Sequence, residues 1–452
     1  MQHQEQGLVV KLALIGGGGI RAPLFVQSAL RRAAHIGLDE ICLMDVDARQ
    51  LELFGALSRE LGGREGAGVA ITTTTQAAVA LTGADFVITT IRPGGIDGRI
   101  ADERIALDIG VLGQETTGAG GFAMALRSIP AILDYARLMA DLCPDAWLIN
   151  FTNPAGLVTQ ALYDEGFERA VGICDSANSA QRAVARWAGV PVETVVTELF
   201  GLNHLSFTRS AVVAGSDLLP DALADDAFLN SSVQRVFEPD VVRRQGMWLN
   251  EYLYYFFHAE KAVASFRNAS RGEEIRALNE RLLPRLQTAG DPGAALDLYF
   301  DYERERSASY MRGANGSRTA AVHPDDGEGY AGVALDVIGA LSGGRRVRTG
   351  LNVANAGAIE DLRDGDVVEV NCHVDACGIQ PVHFGRMPER QSYLVQSVKN
   401  YERLAVEAIR KRDRELAVDA LVAHPLVLSY SRARPLVDRY LEAHAAYTTG
   451  WA

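Results

Sequence analysis

Nowhere does the sequence hold a run of about 18 apolar residues free of charge, the minimum for a helix to cross a bilayer, which excludes a helical membrane span. It has no long Lys/Arg block either, and its formal net charge is −13 at pH 7, so the positive face needed by a nucleic acid or an anionic membrane is missing. The start, Met1-Gln2-His3-Gln4-Glu5-Gln6, carries no basic segment before an apolar one. The expectation is a soluble cytoplasmic protein that is not exported and has no nucleic-acid or membrane partner. Cysteine is sparse: five residues, at 42, 143, 174, 372 and 377, an odd and scattered set that suits a reducing compartment rather than a disulfide framework. Repeats, low-complexity tracts and an obvious flexible linker are also lacking. What remains is a chain of 452 residues, 48% hydrophobic, enough for two lobes joined along a cleft. A phosphorylated ligand would then need a local cluster of arginines.

Leu8–Ile15 is a short apolar run ended by glycines, the pattern of a buried parallel strand, and 23–36 reads as a helix. A second apolar run, Ile41–Met44, ends at Asp45. An Ala-rich, helix-compatible segment follows, then a third run, Asp85–Thr89. Ala146–Asn150 and Ala170–Cys174 are further strands of the series. The spacing predicts an N-terminal Rossmann doubly wound sheet over 8–198, followed over 199–452 by an α/β, mostly helical domain packed directly on it. In the second half, Phe207–Val213 and Val367–His373 are strand-like. Ligands of such a sheet lie beyond the carboxyl ends of its strands, so the residues just after these runs are the candidates for chemistry.

After the first strand stands Gly16-Gly17-Gly18-Gly19-Ile20-Arg21-Ala22-Pro23. Absent side chains let backbone N–H groups approach a pyrophosphate at a helix N-terminus, although Arg21 replaces the third glycine of the dinucleotide fingerprint. Asp45 ends the second strand, where a carboxylate accepts both hydroxyls of an adenosine ribose and repels a 2′-phosphate. That predicts NAD rather than NADP; the alternative is a residue that only opens the turn Asp45-Val46-Asp47. Cys174 ends a strand beside Asp175, and His204 lies in Gly201-Leu202-Asn203-His204. Thiolate and imidazole suit a divalent transition metal and leave positions open for substrate oxygens, but a buried thiol and a satisfied imidazole fit the same spacing. The aromatic run Tyr252–Phe257 fits a packed helix face equally well.

Taken in order, the motifs resemble glycoside hydrolase family 4. They are Ile91-Arg92-Pro93-Gly94-Gly95 with Arg99 and Asp102-Glu103; Gly113-Gln114-Glu115-Thr116-Thr117-Gly118-Ala119-Gly120-Gly121; Ala125–Pro130; Asn150-Phe151-Thr152-Asn153-Pro154; Gly172-Ile173-Cys174-Asp175; Gly201–His204; Tyr252-Leu253-Tyr254-Tyr255; Glu328-Gly329-Tyr330; and Ala423-His424-Pro425-Leu426. The resemblance implies a lactate/malate dehydrogenase-like fold, with 199–452 as the substrate and metal domain, and a glycosidase dependent on NAD and Mn²⁺, an exception to paired-carboxylate hydrolysis. By motif, Cys174 and His204 match the metal ligands and Tyr252 the catalytic base. Arg99, Asn153 and Arg271 match residues that hold the sugar and its phosphate, Glu115 lines the site, and Arg92 belongs with Gly16–Gly19 and Asp45 on the cofactor side. The implied route is oxidation at sugar C3, removal of the C2 proton, elimination at C1 and addition of water. Asp175 is placed either to protonate the leaving oxygen or to orient the metal ligand.

Two departures border the substrate: Cys174-Asp175-Ser176-Ala177 lacks the family's proline, and so does Met247-Trp248-Leu249-Asn250-Glu251 ahead of the tyrosines. Ser270-Arg271-Gly272-Glu273-Glu274 and residues 420–427 look like the 6-phospho-β-glucosidases, while Cys174-Asp175 looks like the 6-phospho-α-glucosidases. The expectation is a 6-phospho-β-glucosidase acting as a dimer or tetramer. Alternatives are a family member for a 6-phospho-α-glucoside, an α-galactoside or a glucuronide, a plain NAD-dependent 2-hydroxyacid dehydrogenase, and a non-catalytic sugar-phosphate sensor.

Overall fold

The computed structural model describes residues 10–308 and 331–451. Leu8, Val9 and the Glu328-Gly329-Tyr330 motif lie outside the described residues.

Thirteen strands organise the described chain: β1 (Val10–Ile15), β2 (Leu38–Met44), β3 (Ala70–Thr74), β4 (Phe86–Thr89), β5 (Trp147–Asn150), β6 (Ala170–Gly172), β7 (Val196–Leu202), β8 (Leu205–Val213), β9 (Ser216–Asp217), β10 (Trp248–Leu249), β11 (Val347–Ala354), β12 (Val367–Asp375) and β13 (Gly378–Pro381). The main sheet runs β13-β12-β11-β6-β5-β4-β1-β2-β3. Its β3-β2-β1-β4-β5-β6 part is parallel throughout, with the order reversing between β1 and β4. This is the expected doubly wound Rossmann arrangement, and its switch point opens the crevice where ligands bind. β1 is almost wholly buried, as a strand covered by helices on both faces must be.

Three differences from the sequence expectation have physical causes. Asp85–Thr89 belongs to the fourth strand rather than the third, because Ala70-Ile71-Thr72-Thr73-Thr74 forms the edge strand β3. An edge strand is half solvated, so its apolar signal is weak. The helix expected over 23–36 breaks at Arg32, giving Ala22–Arg31 and Ala33–Ile36. Arg32 is drawn away to the Gly332 carbonyl and to Asp336 of helix Gly332–Leu341. Finally, the main sheet does not end with the first half. β11 pairs antiparallel with β6, and β12 and β13 extend the sheet further. The 198/199 boundary falls inside β7, which joins β8 and β10 in a second, antiparallel sheet. Among the described residues no helix is long and apolar enough to cross a membrane.

Candidate functional site

A cleft of about 1520 Å³ opens at the switch point, and all the candidate residues except Gly17 line it. On its first wall β1 runs into Gly16, whose φ of +100° and whose position, with a Cβ only 2.7 Å from the Thr90 carbonyl oxygen, admit no side chain. The N–H groups of the turn are themselves engaged, those of Gly16 and Gly17 by the Met44 carbonyl at 2.8 Å and that of Gly19 by the Gly16 carbonyl at 2.9 Å, so the bare turn offers a dinucleotide close approach to the backbone at the start of a helix. Gly17 serves differently, since its Cβ would meet Leu43 Cβ at 2.7 Å and the missing side chain seats the turn against β2. Asp45 ties the loop together, Oδ2 accepting the Gly18 N–H at 3.0 Å and Oδ1 the Asp47 N–H at 3.1 Å. Burial pushes its carboxyl above the ordinary range, against the pull of those N–H groups. The turn role and the cleft position therefore coexist. Tyr299 secures the same loop from helix Pro292–Ala308 by donating its hydroxyl to the Ile20 carbonyl at 2.7 Å.

The second wall is a lattice of arginines and glutamates. Arg99, buried on helix Gly95–Asp108, donates to Glu103 at 2.7 Å and pairs with Glu115 at 3.0 Å, while Arg92 meets the same Glu115 oxygen at 2.5 Å. Burial alone would raise the Glu115 carboxyl, yet the two guanidinium groups hold it at about 2. It is ionised at any physiological pH. Arg271 opens helix Arg271–Thr288 behind a Ser270/Glu273 capping box, and it pairs with Glu274 at 2.9 Å and donates to the Arg306 carbonyl at 3.2 Å. In Asn150-Phe151-Thr152-Asn153-Pro154 the roles divide. Asn150 Oδ1 accepts the Thr89 hydroxyl and the Thr152 N–H, and Thr152 Oγ1 accepts the Ile91 N–H, so two residues knit the strand ends while Asn153 faces the cleft.

Cys174, His204 and Tyr252 come from three distant segments. Cys174 follows β6 and precedes the 3-10 turn Asp175–Asn178, and Arg182 holds that turn through the Asp175 carbonyl at 2.7 Å. His204 sits in the two-residue turn between β7 and β8 at φ +61°, a left-handed conformation uncommon for any residue but glycine. Its buried ring lies parallel to that of Tyr252, with centroids 3.7 Å apart and planes 3° apart. Burial lowers the imidazole pKa to about 4, so it is neutral and able to ligate. Tyr252, Tyr254 and Tyr255 all line the cleft, Tyr254 and Tyr255 as buried side chains and Tyr252 with its N–H accepted by the Asn250 side chain at 3.1 Å.

Burial pushes the Cys174 thiol up, with Glu369 and Asp175 adding repulsion. A thiol in such a negative setting fits a divalent cation, which reverses the local charge and favours the thiolate. Among the described residues no three His, Cys, Asp or Glu side chains gather as a metal cluster.

Two features were not legible in the sequence. Glu369 on β12 is fully buried and accepts Asn203 at 3.2 Å, Ser206 at 2.6 Å and Asn352 at 3.2 Å; burial nevertheless pushes it up to about 7. A lone glutamate inside the apolar run Val367–Val370 was the available signal. Second, the two departures from the family pattern meet: the Ser176 hydroxyl donates to Glu251 Oε1 at 2.6 Å.

Residues 11–190 match the description family 4 glycosyl hydrolase, and residues 199–427 match the C-terminal domain of that family. A probable 6-phospho-beta-glucosidase of Bacillus subtilis strain 168 is 31% identical, with 97% of each chain covered. The 6-phospho-beta glucosidase of Thermotoga maritima, in a structure with manganese, NAD⁺ and glucose-6-phosphate, is 28% identical with a TM-score of 0.82, covering 97% of this chain and 99% of that one. A phospho-alpha-glucosidase of Clostridium acetobutylicum is 26% identical and covers 96% of this chain and 98% of its own.

Proposed function

We propose, since this chain belongs to family 4 of the glycosyl hydrolases, that it is a cytoplasmic 6-phospho-β-glucosidase working with NAD and a divalent metal such as Mn²⁺. The observation that carries the proposal is the meeting of the glycine crevice, the arginine lattice and the Cys174/His204/Tyr252 group in one cleft. The β assignment is supported by the 31% identical relative from Bacillus subtilis, and the α alternative by the phospho-alpha-glucosidase and by Cys174-Asp175.

When bound, the dinucleotide supplies a hydride acceptor and donor, and the metal a Lewis acid that stabilises negative charge on sugar oxygens. At the end of β1 the bare turn Gly16–Gly19 and Arg92 face the pyrophosphate side, the turn by letting the ligand approach closely, and Asp45 faces the adenosine ribose. From the second half His204, Tyr252 and Arg271 complete the substrate side. Cys174 Sγ and His204 Nε2 hold the metal. Arg99, Asn153 and Arg271 orient the sugar and its phosphate, with Glu115 fixing Arg92 and Arg99 in place. Tyr252 Oη takes the proton from sugar C2, its ring steered by the stack on His204. Asp175 is the donor to the departing oxygen. The family resemblance implies a dimer or tetramer.

The test is a panel of p-nitrophenyl α- and β-glucosides, with and without a 6-phosphate, assayed with NAD and Mn²⁺ under reducing conditions. Hydrolysis of the 6-phospho-β-glucoside without accumulating NADH is expected. Stoichiometric NADH release would identify a dehydrogenase, and turnover of the 6-phospho-α-glucoside alone would move the assignment to the other anomer.

A further inference from the structure

The loop between helix Gly95–Asp108 and helix Ala119–Leu142 sends its side chains two ways. Glu115 pairs with Arg92 and Arg99, whereas Gln114 and Thr116 converge on His204. One side-chain oxygen of Gln114 accepts the Thr116 N–H at 2.7 Å, the Thr117 N–H at 2.7 Å and the Thr116 hydroxyl at 2.9 Å. Backbone amides only donate, so the atom they share is the Gln114 carbonyl oxygen, and the amide orientation follows from the bonds around it. The Thr116 hydroxyl reaches that same acceptor and must spend its single hydrogen there. Its oxygen retains only lone pairs for its other partner, His204 Nδ1, at 3.0 Å. Two lone pairs would repel at that distance. Nδ1 therefore carries the proton and donates it to Thr116, which leaves the lone pair of the neutral ring on Nε2.

The loop is braced in this arrangement. A Cβ on Gly120 would lie 2.2 Å from the Gln114 carbonyl oxygen of the backbone, and one on Gly121 would lie 2.6 Å from that of Thr116. The helix start thus lets the loop backbone rest directly on it. The Tyr252 stack fixes the plane of the imidazole, and Thr116 fixes the rotation of the ring within that plane.

We propose that Gln114 and Thr116 are positioning residues that hold His204 as the Nδ1–H tautomer and so keep Nε2 available to a divalent cation. The inference rests on the reading of His204 as a metal ligand. Hydrogen bonds of this kind, behind a ligating histidine, typically change metal affinity about 10–100-fold when removed.

The test uses the full-length protein, labelled with ¹⁵N histidine and free of metal. Two-bond ¹H–¹⁵N spectra report the tautomer, and His204→Ala identifies the His204 signals. Wild type and Thr116→Ser should show the Nδ1–H pattern, whereas Thr116→Val, which keeps the shape but removes the oxygen, should shift His204 towards Nε2–H. In parallel, calorimetric titration with Mn²⁺ should show affinity falling about 10–100-fold in Thr116→Val and recovering in Thr116→Ser. An unchanged tautomer in Thr116→Val overturns the inference, as does an unchanged Mn²⁺ affinity when His204→Ala abolishes binding. Wild-type Mn²⁺ affinity in His204→Ala instead overturns the ligand reading beneath it, leaving the tautomer result to stand alone.

Discussion

On the side of the cleft proposed for the dinucleotide the surface is mostly backbone, made within about thirty residues by the end of β1, the glycine turn and Asp45. On the side proposed for the substrate it is side chains gathered from the segments around residues 99, 115, 153, 174, 204, 252 and 271. A bare turn works through the close approach of a whole segment, so no single side chain dominates it. A surface of gathered side chains concentrates function in single atoms, each dependent on contacts far away in sequence.

Tyr252→Phe puts that contrast under the greatest strain. It keeps the ring on His204 and removes one oxygen, so turnover should fall by roughly 10²–10⁴-fold while the unfolding midpoint stays near that of wild type. Turnover of wild type in D₂O should also place deuterium at C2 of the product. Activity close to wild type would shift the base to Tyr254 or Tyr255 and weaken the idea of concentrated function.

On the other side, Asp45→Ala should weaken NAD binding about tenfold, the effect of losing a charged hydrogen bond worth about 1.5 kcal/mol, and should narrow the preference over NADP. Fluorescence titration with both dinucleotides measures this. A loss as large as that in Tyr252→Phe would mean that the glycine turn depends on one side chain after all, and unchanged affinities would leave Asp45 as a turn residue only.

Acid should also separate the two sides. His424 is buried against Phe256 and Tyr401, its Nδ1 accepts the Leu426 N–H at 3.1 Å, and burial lowers its pKa to about 3. The unfolded chain takes up that proton near pH 6.5 and the folded chain does not. Stability from this group is therefore complete above pH 6.5 and is lost as pH falls towards 3, by at most about 1.4 kcal/mol per unit. Hydrogen exchange at pH 5 should quicken around residues 251–257 and 424–428 before it quickens in β1 and β4. His424→Asn, which retains an acceptor, should remove that difference; uniform exchange in both proteins would show that the two sides open as one.

The same contrast decides what could be read from the sequence. β1, the glycine turn and Asp45 follow from local pattern, because a buried strand, a bare turn and a carboxylate lie in consecutive short segments. β3 escaped because a threonine-rich edge strand has little apolar signal. Cys174, His204 and Tyr252 are ambiguous singly, since burial explains a lone cysteine or histidine as well as ligation does; only their order among many motifs raised them. Gln114 and Thr116 stand inside a family motif without a role of their own, because nothing in the sequence says that a loop at 114–116 reaches a turn at 204. The Ser176–Glu251 contact is likewise a product of folding, 75 residues apart.

The join between β6 and β11 has a consequence for how this protein can be divided. A chain cut near residue 198 would leave β6 as a bare edge, offering unpaired N–H and C=O groups to any other strand, and the complementary piece would present β11 in the same state. Each fragment would expose a seam that the intact chain covers. An exchange of halves between relatives would have to carry a matching seam with it.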